Sequence, residues 1–280
     1  MTMTTTTTTK LVCIGACYLD TILSVPHYPA EDSKLRASHI QVRRGGNCPN
    51  TLEVFQQLIR AEEHEHEHEQ EHEHGGRSEH EDPKVTPHLV TCLPSRDAPA
   101  TTTIIESFGA GSPIDFSRCI YRDATQLEPA RSYIIRSEAT GSRTLVNYNG
   151  LTEMTLDEFV AAVGGLGSSG SGSGSGSGGI SGIGGEEEED DEDDEDDEDD
   201  AWFHFEGRIP ETTLQCMQWL RRSRPKARVS VEVEKADREG LEELVAEADV
   251  VFYSRSWAEN KLYTSAGQCL TAQSAKARRG

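Results

Sequence analysis

At 280 residues the chain has room for one large domain or two small ones, which excludes a large multidomain assembly. A hydrophobic fraction of 35% and a formal net charge of -22 are, on average, those of a disordered acidic protein. Fifteen acidic residues form the unbroken run 186–200 and seven more glutamates lie between Glu62 and Glu73, which accounts for the whole excess; the rest is neutral and argues against a nucleic-acid partner for the folding part.

Residues 1–9 are mostly a threonine tract, expected to be disordered. Lys10 to Leu19 is apolar and partly β-branched, the pattern of one buried central strand, and it ends at Asp20. A turn around Pro26 and Pro29 leads to a roughly alternating segment from Lys34 to Arg44, then to Gly45-Gly46-Asn47. Pro49 opens a helical spacing of Leu52, Phe55, Leu58 and Ile59, so the unit reads strand, glycine turn, helix. Residues 61–82, rich in alternating Glu and His, cannot contribute to a core and read as a surface-loop insert.

Leu89 to Leu93 suits a strand and Ala98 to Phe108 a helix. Ser132 to Arg136 and Thr144 to Tyr148 flank a turn at Glu138 to Ser142, the signature of a hairpin, and Leu156 to Val163 suits a short helix. From Gly164 to Asp200 a Gly/Ser linker passes into the acidic run, expected to be flexible and solvated. Beyond it, strand and helix alternate: 202–205, 211–222, 228–233, 239–248 and 250–253, followed by a polar, helical tail over 257–280. Alternation of this kind predicts an α/β fold with a mostly parallel sheet and right-handed crossovers. Such a sheet needs further strands to cover its last edge.

Seven cysteines without a C-x-x-C pair, and no basic-plus-apolar leader, point to a reduced, cytoplasmic protein. The longest apolar run, Leu11 to Leu19, is far short of the ~20 residues that span a bilayer, so no membrane partner is expected. Histidines between His64 and His74 offer imidazoles, but a low-complexity loop fixes no coordination geometry, and no dedicated metal site is expected. The acidic run could attract a basic partner or serve only as a solvated spacer.

The most specific chemistry lies in Asp20 together with Gly45-Gly46-Asn47-x-x-Asn50. Ligands of open α/β sheets sit outside the carboxyl ends of strands, where a carboxylate accepts bonds from hydroxyls. Two glycines permit close backbone approach, and the amides of Asn47 and Asn50 both donate and accept, as a polyol requires. The alternative is that Asn47 caps the helix and the glycines only turn the chain. Glu206 and Arg208 sit at a strand end near this place, where an internal ion pair explains them equally well.

Gly15-Ala16-x-x-Leu19-Asp20, Tyr28-Pro29-x-Glu31-Asp32-Ser33-Lys34 and Arg43-Arg44-Gly45-Gly46-Asn47-Cys48-Pro49-Asn50 resemble the N-terminal region of the ribokinase-like (PfkB) carbohydrate kinases, and within them the ketohexokinase branch. Similar blocks follow in order: Ala139 to Thr144, His204 to Arg208, Arg228 to Lys235 and Asp249 to Ser254. The resemblance implies that Asp20, Gly46, Asn47 and Asn50 hold the hydroxyls of a ketose such as fructose. It implies that the segments around Lys34 to Arg44 and Arg143 form a β lid that doubles as a homodimer contact, and that Arg143 contacts a transferred or nucleotide phosphate. It also implies ATP and Mg²⁺ as cofactors.

One departure stands against it. The family's anion hole and catalytic base come from a Gly-Ala-Gly-Asp segment in its C-terminal third, which this sequence lacks; Gly109-Ala110-Gly111-Ser112 lies upstream of the hairpin and has Ser112 where the carboxylate belongs. The expectation is a C-terminally truncated kinase with no catalytic residue of its own and impaired turnover, or a noncatalytic sugar-binding derivative. Each missing effect is commonly worth ~10²-fold or more in rate.

Overall fold

The structure is a computed structural model that describes residues 8–72, 85–166, 201–274 and 276–277. The threonine tract through residue 7, most of the Gly/Ser linker, the acidic run and residues 73–84 lie outside the described residues. Five parallel strands form the main sheet: β1 (Thr9–Ile14), β4 (Val85–Val90), β9 (Ala201–Glu206), β10 (Arg228–Val233) and β11 (Val250–Tyr253). Their spatial order is β11-β10-β9-β1-β4, with β1 in register between β4 and β9. This is the expected α/β architecture.

Inward-facing Val12, Ile14, Phe203, Phe205, Val229 and Val231 cover one side of the sheet. Against them pack α3 (Leu156–Val163), α4 (Pro210–Ser223) and α5 (Leu241–Glu247), through residues such as Phe159, Met217 and Leu244, all fully buried. Each such side chain contributes about 1.5–3 kcal/mol of burial. The helical tail is present as α6 (Arg255–Asn260) and α7 (Ala266–Gln273), anchored on the same side by Trp257 and Cys269.

On the other side, α1 (Asn47–His72) and α2 (Pro99–Glu106) enclose a second core around Cys13, Cys48, Leu52, Leu89 and Ile104. α1 packs on β4, β1 and β9, and on this side the described residues leave β10 and β11 more open. A groove of about 480 Å³ there is lined by Trp202, His204, Ser230 and Glu232 and by Phe252, which is 52% exposed. The segment read as a surface loop from residue 61 is helical through His72: α1 continues without interruption, because alternating Glu and His contain neither Gly nor Pro to stop it.

The apolar stretch from Lys10 to Leu19 is two strands. β1 stops at Ile14, and β2 (Tyr18–Val25) starts a separate sheet. The break falls at Gly15, where a β-carbon would stand 2.8 Å from both the Cys48 sulfur and a Glu206 carboxylate oxygen. Asp20 therefore sits inside the second strand and does not end the first. That second sheet is the lid, in the order β3-β2-β7-β8, with β3 (His39–Gly45), β7 (Ala130–Ser137) and β8 (Arg143–Tyr148). The β7–β8 hairpin turns through Gly141 at φ +68°, the left-handed region open to glycine. Between α1 and α3, a short parallel pair, β5 (Cys92–Leu93) with β6 (Ile120–Tyr121), extends the strand expected over Leu89 to Leu93. No helix of the described residues is long and apolar enough to cross a membrane.

Candidate functional site

The lid joins the main sheet at the carboxyl ends of β1 and β9, and the two glycines before α1 fill the junction. A β-carbon on Gly45 would lie 2.4 Å from Asp20 Oδ2, so the Asp20 side chain lies directly across Gly45. Gly46 has φ +108°, and a β-carbon on it would lie 2.1 Å from the Ala16 carbonyl oxygen. The first glycine is required by contact and the second by both contact and conformation. Pro49, in the first turn of α1, removes a backbone N–H that has no helical partner.

Asp20 is 8% exposed, and its carboxylate has no hydrogen-bond or ion-pair partner among the described residues. The residue as a whole is buried, but neither carboxylate oxygen is shut off from solvent, so the hydroxyls of an outside ligand can reach them as donors. Asn47 behaves differently. Its Nδ2 donates to Glu232 Oε2 at 2.8 Å, while Glu232 Oε1 lies 3.4 Å from His204 Nε2. His204 Nδ1 in turn lies 2.9 Å from Ser230 Oγ, which also accepts from Trp202 Nε1 at 2.8 Å. Asp20, inside β2, and Asn47, the first residue of α1, flank the Gly45-Gly46 turn, but no hydrogen bond joins them, and the Asn47 amide nitrogen is committed to the main sheet. Asn50 is exposed on the first turn of α1, its backbone N–H bonded to the Gly46 carbonyl at 3.1 Å.

Of two acidic neighbours, sequence reasoning placed Glu206 near the site and passed over Glu232. Glu206 and Glu232 are in register at the carboxyl ends of adjacent parallel strands, which is the readable signal for ligand-facing positions. Glu206 Oε2 accepts the Ala16 N–H at 2.8 Å. Burial pushes the Glu206 carboxyl above the usual carboxylate range, against the lowering effect of that N–H and of the Arg208 charge. The two residues do not form the direct ion pair that was the alternative reading: Arg208 pairs with Glu153 and lies over the Tyr18 ring at 5.8 Å. A cavity of about 40 Å³ opens between them, lined by Gly15, Ala16, Ala130, Asn149, Glu206 and Arg208.

Arg143 opens β8, exposed and without a hydrogen-bond or ion-pair partner among the described residues, on the same lid face as Asp20 but four residues farther out by register. Gly109 and Gly111 adopt φ of +91° and +70° in the loop after α2, with open space around both, as expected of a helix-end turn. Among the described residues no group of three or more His, Cys, Asp or Glu could hold a metal ion.

No protein-family profile matches the chain. Solved structures do. Ribokinase of Arabidopsis thaliana, complexed with ribose and ATP, superposes with a TM-score of 0.60 at 12% identity, over 97% of this chain and 70% of that one. Ribokinase of Thermotoga maritima gives 0.56 at 13%, over 97% and 70%. The nucleoside kinase of Methanocaldococcus jannaschii, an archaeal member of the ribokinase family, gives 0.53 at 14%, over 91% and 64%. At these identities the likeness establishes the architecture: the chain has the α/β fold of the ribokinase-like kinases, a mostly parallel sheet flanked by helices.

Proposed function

We propose that the chain is a ribokinase-like carbohydrate kinase scaffold that takes a ketose such as fructose at Asp20, Gly46, Asn47 and Asn50. The reaction of this reading is transfer of the γ-phosphoryl group of ATP to a sugar hydroxyl. The observation that carries this reading is the Asp20 carboxylate, set against Gly45 at the foot of a β lid, without a hydrogen-bond or ion-pair partner among the described residues and still open to an outside donor. Glu206, held on the Ala16 N–H beside the cavity, supplies a second acceptor for hydroxyls. Phosphoryl transfer further requires an anion hole and a base for the acceptor hydroxyl. The sequence given contains no Gly-Ala-Gly-Asp segment to supply them, so with these residues alone turnover is impaired.

ATP and Mg²⁺ enter through the resemblance. Mg²⁺ in kinases is held largely by substrate phosphates and water with one or two carboxylates. The described residues form no cluster of three or more His, Cys, Asp or Glu that would assemble such a ligand set. The lid is also proposed as the contact of a homodimer. Its register places Ile40, Val42, Tyr133 and Val146 together on the face turned away from Asp20, each 49–65% exposed.

Calorimetry of fructose on the full chain, with an ADP-release assay beside it, tests the reading. Binding that Asp20→Ala abolishes is expected, and indifference of binding to that substitution would sink it. Binding without ADP release favours the second reading, a noncatalytic sugar-binding protein derived from a kinase, to which the missing catalytic segment points.

A further inference from the structure

The Glu/His repeat beyond Ala61 reads from its composition as a loop without fixed geometry, but the backbone there is the continuation of α1, which runs to His72. That conformation gives the repeat a geometry. In an α-helix, residues four apart lie one above the other on one face, about 6 Å apart along the axis. His64, His68 and His72 follow at this spacing and form one row along α1. His66 stands outside the row, since four residues before and after it come Glu62 and Gln70. Each step of the row has the spacing H-E-x-x-H: His64-Glu65-His66-Glu67-His68, then His68-Glu69-Gln70-Glu71-His72. On a helix that spacing sets two imidazoles on one face, where a single metal ion can take both. Glu67 and Glu71 come three positions after His64 and His68 and border the row. With Glu63 they also make a run of like charges four apart, which destabilises a helix unless a cation offsets it.

We propose that this row binds a divalent transition-metal ion of the Zn²⁺, Ni²⁺ or Cu²⁺ class through two imidazoles one turn apart. His68 serves in either pair, and water completes the shell. Imidazole suits these ions, whereas Mg²⁺ and Ca²⁺ take oxygen ligands. A pair of imidazoles is a smaller site than the clusters of three or more ligands that are absent among the described residues. The bordering glutamates raise the local concentration of cations, and the histidines select among them. An ion that bridges consecutive turns binds the helix in preference to the open chain, so occupancy stabilises the end of α1. The row starts about 25 Å along the helix axis from Asn47. It is therefore separate from the turn beside Asp20, and the proposal stands apart from the sugar-binding reading.

Calorimetric titration of the full chain with Zn²⁺, in a buffer holding millimolar Mg²⁺ to occupy the acidic run, tests the site. The parent and His66→Ala should bind alike. His68→Ala breaks both pairs and leaves His64 and His72 about 12 Å apart along the axis. It should weaken binding at least about tenfold, since even an outer partner of a metal ligand is commonly worth that much. His64→Ala and His72→Ala each spare one pair and should cost less than His68→Ala. Circular dichroism should show helix gained on adding Zn²⁺ to the parent and none gained in His68→Ala, and it checks that the metal-free variants keep the parent's fold. Equal affinities in His66→Ala and His68→Ala, whether both kept or both lost, overturn the proposal, because a flexible repeat counts histidines and a helix counts only those at the right spacing. Displacement of Zn²⁺ by excess Mg²⁺ overturns it as well, by assigning the ion to carboxylates. So does absence of Zn²⁺ binding by the parent.

Discussion

Asn47 and Glu232 are 185 positions apart in sequence and joined by a hydrogen bond of 2.8 Å. It ties the first residue of α1 to the carboxyl end of β10, and through Glu232 to His204. Truncation by Glu232→Ala leaves the Asn47 amide without its acceptor in a partly buried place. A stability loss of about 1–3 kcal/mol is expected by urea unfolding, with weaker fructose binding. Glu232→Gln keeps an acceptor oxygen and should lose less of both. Equal losses in the two variants would show that the charge, and not the contact, holds the turn.

Gly45 and Asp20 should be coupled in the same sense. Gly45→Ala places a β-carbon 2.4 Å from Asp20 Oδ2, which forces the carboxylate aside. In an Asp20→Ala background that obstacle is gone, so the cost of Gly45→Ala should shrink. A double-mutant cycle reads the coupling, expected between about 0.5 and 3 kcal/mol. Gly46→Ala carries a different penalty, because its neighbour is the Ala16 carbonyl of the backbone and φ is +108°. It should destabilise by about 2 kcal/mol or more in either background, a strained conformation added to a clash.

The alternation after residue 201 was legible because each strand and helix there has its own period and its own turn residues. The glycine turn before α1 was equally legible from Gly45-Gly46 and Pro49. The lid was harder to read. Leu11 to Leu19 is apolar throughout because both β1 and β2 are buried where they cross, so periodicity gives no sign of the break, and only the crowding at Gly15 marks it. Asn47 was readable as a polar residue at a turn, but its orientation is set by Glu232, a contact of long sequence separation that no local pattern encodes. Arg143 was visible as a residue. The face it shares with Asp20 follows from a register that joins β3, β2, β7 and β8 across more than a hundred positions.

Glu206 gives a pH dependence whose sign is fixed by its surroundings. Burial raises its carboxyl in the folded chain above the ordinary value of 4.5. The folded state then holds the proton more tightly than the unfolded one, so this group's contribution favours folding below pH 4.5. It is lost as pH rises through the folded value. Glu206→Gln keeps an oxygen to accept the Ala16 N–H and carries no charge. The variant should be more stable than the parent at neutral pH, with the difference vanishing toward pH 4. Thermal or urea unfolding across pH 4 to 8 measures it. A variant less stable than the parent at pH 7 would mean that the ionised carboxylate is better compensated than its burial implies.

The outer face of the lid bears on self-association. Ile40, Val42, Tyr133 and Val146 lie on neighbouring strands, and alternation along each strand turns all four away from Asp20. Four large apolar side chains left in water on one sheet face form a patch of the kind that marks an interface. A two-fold dimer would bury the same patch twice, each copy covering the other. Ile40→Glu with Val146→Lys charges the patch without touching Asp20, Gly46 or Arg143. Sedimentation velocity at micromolar concentration should find the parent chain dimeric and the double variant monomeric, with circular dichroism unchanged. A parent that stays monomeric up to about 100 μM, where an interface stronger than roughly -5.5 kcal/mol would have assembled, would remove the lid as a dimer contact. An unchanged dimer in the variant would move the contact elsewhere, the open groove over β10 and β11 being the next apolar surface to charge.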